Sequence, residues 1–193
     1  MKKLIVLLIL LLSLLIAAGC NIGTNNDNDK TKSPETTSTE PPADDTKDYV
    51  SEEYGFRTKY AKDWTVSNEI ENVLVTFVCP DRKDFASNVN IMVFPGAAGV
   101  SDLEEFSELA KQDLESSIAD YEELEYDDIE TSAWKGKYII FSGSYDTLEL
   151  KWAQVWFIHD GDAYLITYVS DLARFDKYLD DAKIIAENLV IED

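Results

Sequence analysis

Three strand-like stretches follow one another so closely that they leave few folds open. Lys137–Tyr145 is separated from Leu148–His159 by Asp146-Thr147 alone, and Asp160-Gly161 then leads into Asp162–Ser170. Asp-Gly is a strong two-residue hairpin signal, because the tight turn that suits strand twist needs positive φ at both positions. Alternate residues of Leu148–His159 place Leu148, Leu150, Trp152, Trp156 and Ile158 on one face and Ala153, Val155 and Phe157 on the other. Ala163–Val169 is likewise apolar on both faces, with Tyr164, Ile166 and Tyr168 opposite Leu165 and Val169. A strand apolar on both faces lies mid-sheet and needs cover on each side. Trp152 and Trp156 then read as core under those covering layers. A ligand groove lined by the two indoles is the alternative.

Two helices can supply the cover. Ser101-Asp102-Leu103-Glu104 has the form of a capping box, with Ser at the N-cap and Glu three residues on. The helix it predicts runs to about Ala119, its apolar stripe made by Leu103, Phe106, Ala110, Leu114 and Ile118. A second helix is expected between Asp171 and Asn188, with Leu172, Phe175, Leu179, Ala182, Ile185 and Leu189 on one side. Upstream, short strands are expected at Tyr49-Val50, Gly55–Tyr60 and Trp64–Val66. Two more follow, Val73–Cys79 and Asn88–Phe94, stopped by Pro80 and by Pro95-Gly96. Phe56, Tyr60, Trp64 and Val66 are natural core anchors. The expected fold class is α+β: an antiparallel β-sheet covered by helices on both faces, an α/β/α sandwich spanning residues 48–193.

The N-terminus reads differently. Lys2 and Lys3 precede an apolar run, Leu4 to Ala18, broken only by Ser13. That run falls short of the roughly 20 residues of a comfortable membrane-spanning helix. A charged start, a short apolar middle and small residues at Ala17, Ala18 and Gly19 describe a secretory signal. Cys20 follows at once, so residues 1–19 are expected to be a lipoprotein signal peptide, with Cys20 as the lipidation site. Ala17 departs from the Leu or Val more common three residues before such a cysteine. An uncleaved anchor is the alternative, and both place the remainder outside the cytoplasm. The expected location is the cell membrane, lipid-anchored and facing the extracytoplasmic side. Residues 20–47 then hold the lipidated cysteine and a linker whose only large apolar side chain is Ile22. Such a segment cannot offset its own ordering entropy and is expected to be disordered. A flexible coil of that length spans roughly 25–30 Å. Asn25-Asn26-Asp27-Asn28-Asp29 lacks the glycine and distal glutamate of a calcium loop.

The chain of 193 residues carries a formal charge of −21, and loss of Lys2 and Lys3 with the leader makes it more negative still. So acidic a surface repels nucleic acid, which is not expected as a partner. Of the two cysteines, Cys79 has no disulfide partner if Cys20 is acylated, and in its apolar run it reads as a small buried hydrophobe. His159 is the only histidine, which excludes a multi-histidine metal site and makes a His-assisted triad hard to build. Glu122, Glu123, Glu125, Asp127, Asp128 and Glu130 crowd one stretch. With Leu124, Tyr126 and Ile129 interleaved, this is expected as a strand at a sheet edge, where charge discourages edge-to-edge pairing. A divalent-cation site there is the competing idea, although nothing in the spacing sets a coordination geometry.

From Tyr54 the sequence Tyr-Gly-Phe-Arg-Thr-Lys-Tyr-Ala-Lys-Asp-Trp-Thr-Val resembles the opening of the PsbP-like proteins: glycine-phenylalanine, a strand, an aromatic, a short turn, then lysine-x-tryptophan. Ala61 stands where those proteins usually have proline. Gly161–Tyr168 and Phe175-Asp176-Lys177-Tyr178 resemble the family's closing segment. The likeness covers roughly Tyr49 to Ile191, and the bacterial lipoprotein DcrB is a more distant relative by the same pattern. The resemblance implies a fold, extrinsic association with a membrane complex, and no catalysis, cofactor or metal site. The expected function is that of a membrane-tethered, monomeric, non-enzymatic domain that docks on or assists an envelope protein complex. A small-ligand or divalent-cation binding lipoprotein is the alternative, and a hydrolase a more distant one.

Overall fold

In a computed structural model, which describes residues 45–192 apart from 69, 71, 72, 84 and 101, ten strands and two α-helices follow in order, with a 3₁₀ turn at Pro95–Gly99. They are β1 (Thr46–Ser51), β2 (Phe56–Ala61), β3 (Thr65–Ser67), β4 (Val75–Val78), β5 (Asn88–Phe94), α1 (Leu103–Ser117), β6 (Ala119–Glu130), β7 (Lys135–Tyr145), β8 (Leu148–His159), β9 (Asp162–Asp171), α2 (Phe175–Glu187) and β10 (Val190–Ile191). The leader, Cys20 and the linker up to residue 44 lie outside the described residues.

The β8–β9 hairpin forms as its turn residues require. Asp160 and Gly161 both take positive φ, 51° and 84°, and bring His159 opposite Asp162. At the β7–β8 turn, Asp146 has φ 55° and Tyr145 faces Leu148. These hairpins sit inside a fully antiparallel seven-stranded sheet of order β3-β4-β5-β9-β8-β7-β6. The doubly apolar β8 and β9 are therefore central, and acidic β6 is an edge, both as the residue pattern predicts.

The strands do not all join one sheet, which corrects the expectation. β1, β2 and β10 make a separate three-stranded antiparallel sheet. The turn after Ala61, closed by the Trp64 amide on the Ala61 carbonyl, ends β2 before β3 joins the large sheet. The small sheet is held to α2 by the Thr58 hydroxyl, which donates to the Ile185 carbonyl at 2.6 Å. Val190 and Ile191 then pair with Arg57 and Phe56. So short a closing strand carries no periodicity of its own and leaves no signal in the sequence.

Two apolar clusters use alternate residues of the same strands. Trp152, Trp156, Leu165 and Val169 pack with Phe106, Ala110 and Leu114 of α1. Phe157, Ile166 and Tyr168 pack with Phe56, Phe175, Tyr178 and Ile185, joining α2 to the small sheet. Ser101 is outside the described residues, and the N-cap of α1 is Asp102, whose carboxylate accepts from the Glu105 amide at 2.8 Å. The helix ends at Ser117, because Ile118 is already extended and feeds β6 directly.

Candidate functional site

Trp152 and Trp156 are both fully buried. The Trp152 ring stacks on Phe141 at 5.0 Å, and the Trp156 indole donates to Ser107 Oγ at 2.7 Å. Ser107 in turn donates to the Leu103 carbonyl at 2.6 Å. The groove alternative is thereby removed for both indoles, which lie under α1. Trp134, on the turn before β7, is a third anchor that residue patterning did not single out. It stacks on Phe157 at 4.4 Å and donates to the Leu189 carbonyl, tying the end of α2 to β8.

The acidic strand is engaged mostly by neighbouring cations. Lys137 places its ammonium 2.7 Å from both Asp128 and Glu104, joining β6 to the first turn of α1. The hydrogen bonds that this ammonium donates to Asp128 and Glu104 raise the lysine well above its ordinary range. Lys111 reaches Glu123 at 2.9 Å and lies 3.8 Å above the Tyr126 ring, and Lys135 pairs with Glu130 at 2.8 Å. Tyr138 donates to Glu125. Among the described residues no three His, Cys, Asp or Glu side chains come together as metal ligands. The carboxylates spread along an exposed strand interrupted by register shifts, which suits an edge that resists pairing.

Cys79 is buried at the end of β4, its thiol donating to the Asp81 carbonyl at 2.9 Å. Burial is the largest effect and pushes that thiol up, against the opposing influence of its hydrogen bonds with Ser87 and Asp81. Beside it, Arg174 bonds Asp171 and the Phe85 carbonyl and lies 3.2 Å from Asp81, pinning the β4–β5 loop to the start of α2. His159 stands 3.8 Å from Asp160 in the β8–β9 turn. A groove of about 420 Å³ opens beside the small sheet, lined by Val50, Arg57, Lys59, Glu187 and Val190 among others.

One polar feature in the interior did not emerge from sequence reasoning. Asn90 lies opposite Thr76 on one side and Thr167 on the other, and Thr167 lies opposite Gln154. All four are buried, and they form a row across β4, β5, β9 and β8 on the α1 side of the sheet. Thr76 donates to Asn90, Asn90 to Asn88, and Asn88 to the Ala86 carbonyl, at 2.7, 2.9 and 2.8 Å. Polar residues at matching alternate positions in apolar strands were the available signal, but the register that aligns them is tertiary.

No protein-family model matches the chain, and no curated protein sequence matches it. Solved structures do. LpqN of Mycobacterium tuberculosis, described as involved in cell envelope biogenesis, aligns with TM-score 0.56 at 11% identity over 78% of this chain and 87% of its own. The cyanobacterial PsbP of Synechocystis sp. PCC 6803 aligns with TM-score 0.52 at 9% identity over 81% and 98%. A Pseudomonas aeruginosa protein of unknown function, PA94, aligns with TM-score 0.52 at 11% identity over 72% and 91%. The architecture defines an antiparallel α+β domain built on a seven-stranded sheet. Within that class the chain has a PsbP-like fold. Among the described residues no helix is long and apolar enough to cross a membrane.

Proposed function

We propose that this protein is a lipid-anchored extracytoplasmic domain that docks on, or assists, a protein assembly of the cell envelope and performs no catalysis. The observation that carries the reading is a PsbP-like fold, shared in outline with LpqN; the signal peptide expected over residues 1–19, immediately before Cys20, supports the anchor. The domain is taken as an α/β/α sandwich, because α1 and α2 pack on side chains that alternate along β8. Cys20 is the attachment point, and the linker between it and the folded domain acts as a spacer that holds the domain clear of the headgroups.

Two measurements on native membranes test separate parts. Mass spectrometry of the mature protein should find an N-terminal, acylated Cys20; an intact Met1 with unmodified Cys20 overturns the anchoring. Crosslinking followed by affinity isolation should recover one protein at fixed stoichiometry. Repeated recovery of the chain alone overturns the docking role while leaving the anchor standing.

A further inference from the structure

The two faces of β7 and β8 are not equally covered. On the α1 side, Ile139 and Phe141 of β7 and Leu150, Trp152 and Trp156 of β8 are buried. On the α2 side, Tyr138, Ile140, Ala153 and Val155 are only half-buried, although their strands run through the interior of the sheet. Strand register makes these residues one block, with Tyr138 opposite Val155 and Ile140 opposite Ala153. The cause is the seat of α2. That helix packs on β9, β8 and the small sheet, where the Tyr168 hydroxyl donates to the Phe175 carbonyl and Thr58 to the Ile185 carbonyl. β7 lies two strand spacings from β9. That is roughly 10 Å, the distance at which a further helix packs beside a first.

The acids of β6 divide between the same two faces. Glu123, Asp128 and Glu130 pair in register with Phe141, Lys137 and Lys135, which puts them on the α1 side. Each is held by a lysine: Lys111, Lys137 and Lys135 respectively. Glu122, Glu125 and Asp127 pair instead with Ser142, Ile140 and Tyr138, so they border the open block. These acids are exposed, and among the described residues no lysine or arginine pairs with any of them. Tyr138 donates to Glu125 and leaves its charge in place. Lys151, at one end of the block, is drawn toward α2, 4.4 Å over the Phe175 ring and 3.8 Å from Asp176. The apolar block is thus margined along β6 by negative charge that the chain itself does not offset.

We propose that this open face of β7 and β8 is the docking surface of the domain, and that its occupant is an amphipathic helix of the envelope partner. The helix is apolar where it meets Ile140, Ala153 and Val155, and it carries lysine or arginine on the flank toward β6. The inference rests on the docking role proposed above and adds the place and the chemistry of the contact. Half-covered apolar side chains gain from removal from water, and basic groups on the occupant complement Glu122, Glu125 and Asp127. A helix laid in such a groove presents its anchors at three- and four-residue steps. Other occupants fail on charge or composition. A second copy brings another formal charge of −21 against the same acids. An anionic lipid surface meets the same repulsion. Residues 21–44 offer Ile22 as their only large apolar side chain.

Photo-crosslinking in native membranes tests it on the full chain. Cys79 is buried, so Ser142→Cys, on the floor of the open face, takes a maleimide-benzophenone label, with the unsubstituted chain as blank. Glu108→Cys, exposed on α1, is the comparison position. Ser142→Cys should give an adduct whose crosslinked peptide has a helical apolar stripe edged by lysine or arginine, and Glu108→Cys should not. Glu122→Lys with Asp127→Lys should lower that adduct about tenfold. Glu52→Lys with Glu53→Lys makes the same charge change between β1 and β2 and should leave it unchanged. A partner joined through position 108 alone, or an adduct indifferent to the β6 reversal, overturns this surface and leaves the docking role standing. An adduct from position 142 to a second copy, to residues 21–44, to lipid or to a peptide without the basic edge overturns the occupant. Recovery of the chain alone from both positions removes the docking role and this surface with it.

Discussion

At the residue scale, Ser107 carries more than its size implies. Its hydroxyl accepts from the buried Trp156 indole while donating back to the Leu103 carbonyl, so it fastens α1 to β8. Ser107→Ala leaves the indole N–H without an acceptor and should lower unfolding stability by about 1–3 kcal/mol, measured by urea titration. Asp113 works in the opposite direction. Burial holds its carboxyl above the ordinary value of 3.8, so the folded protein binds that proton more tightly than the unfolded chain. The stabilisation is fully present below pH 3.8 and is lost as pH rises through the elevated folded value. Asp113→Asn should therefore raise the thermal midpoint at pH 7, with the gain vanishing in acid below that point. A scan of midpoint against pH for both forms checks it. Neither effect was legible in the sequence, where Ser107 and Asp113 are ordinary polar residues of an amphipathic helix.

At the scale of elements, the sequence signals told more about kind than about boundary. The capping-box pattern puts the N-cap at Ser101, one residue too early, because Asp102 caps as well and local pattern favours the Ser-x-x-Glu spacing. The structure places the cap at Asp102. Asp102→Ala should cost about 0.5–2 kcal/mol of stability, again read from urea unfolding. Asp-Gly fixed the β8–β9 hairpin locally, because its φ requirement belongs to two residues and no others. Gly136 is the contrary case. A Cβ there would collide with the Trp156 carbonyl oxygen and come 3.1 Å from Phe157 Cβ. Its need for glycine arises wholly from the strand beside it.

At the scale of the whole molecule, charge and layering dominate. A chain at −21 repels itself in the compact state, and added salt screens that repulsion over about 10 Å at 0.1 M and 3 Å at 1 M. Raising sodium chloride from 0.1 to 1 M should therefore increase the thermal midpoint by several degrees, and a fall would show that the ion pairs of β6 outweigh the net repulsion. The sequence by itself determined the acidic character, the central hairpins and the two amphipathic helices. Each of these is written in local composition or in a period of a few residues. Tertiary structure alone decided that the strands divide into two sheets, that β10 closes the smaller one, and that Thr76, Asn90, Thr167 and Gln154 align across four strands. Those outcomes depend on strand register and on which layer covers which face, and contacts between residues so distant in sequence leave no local signature in it.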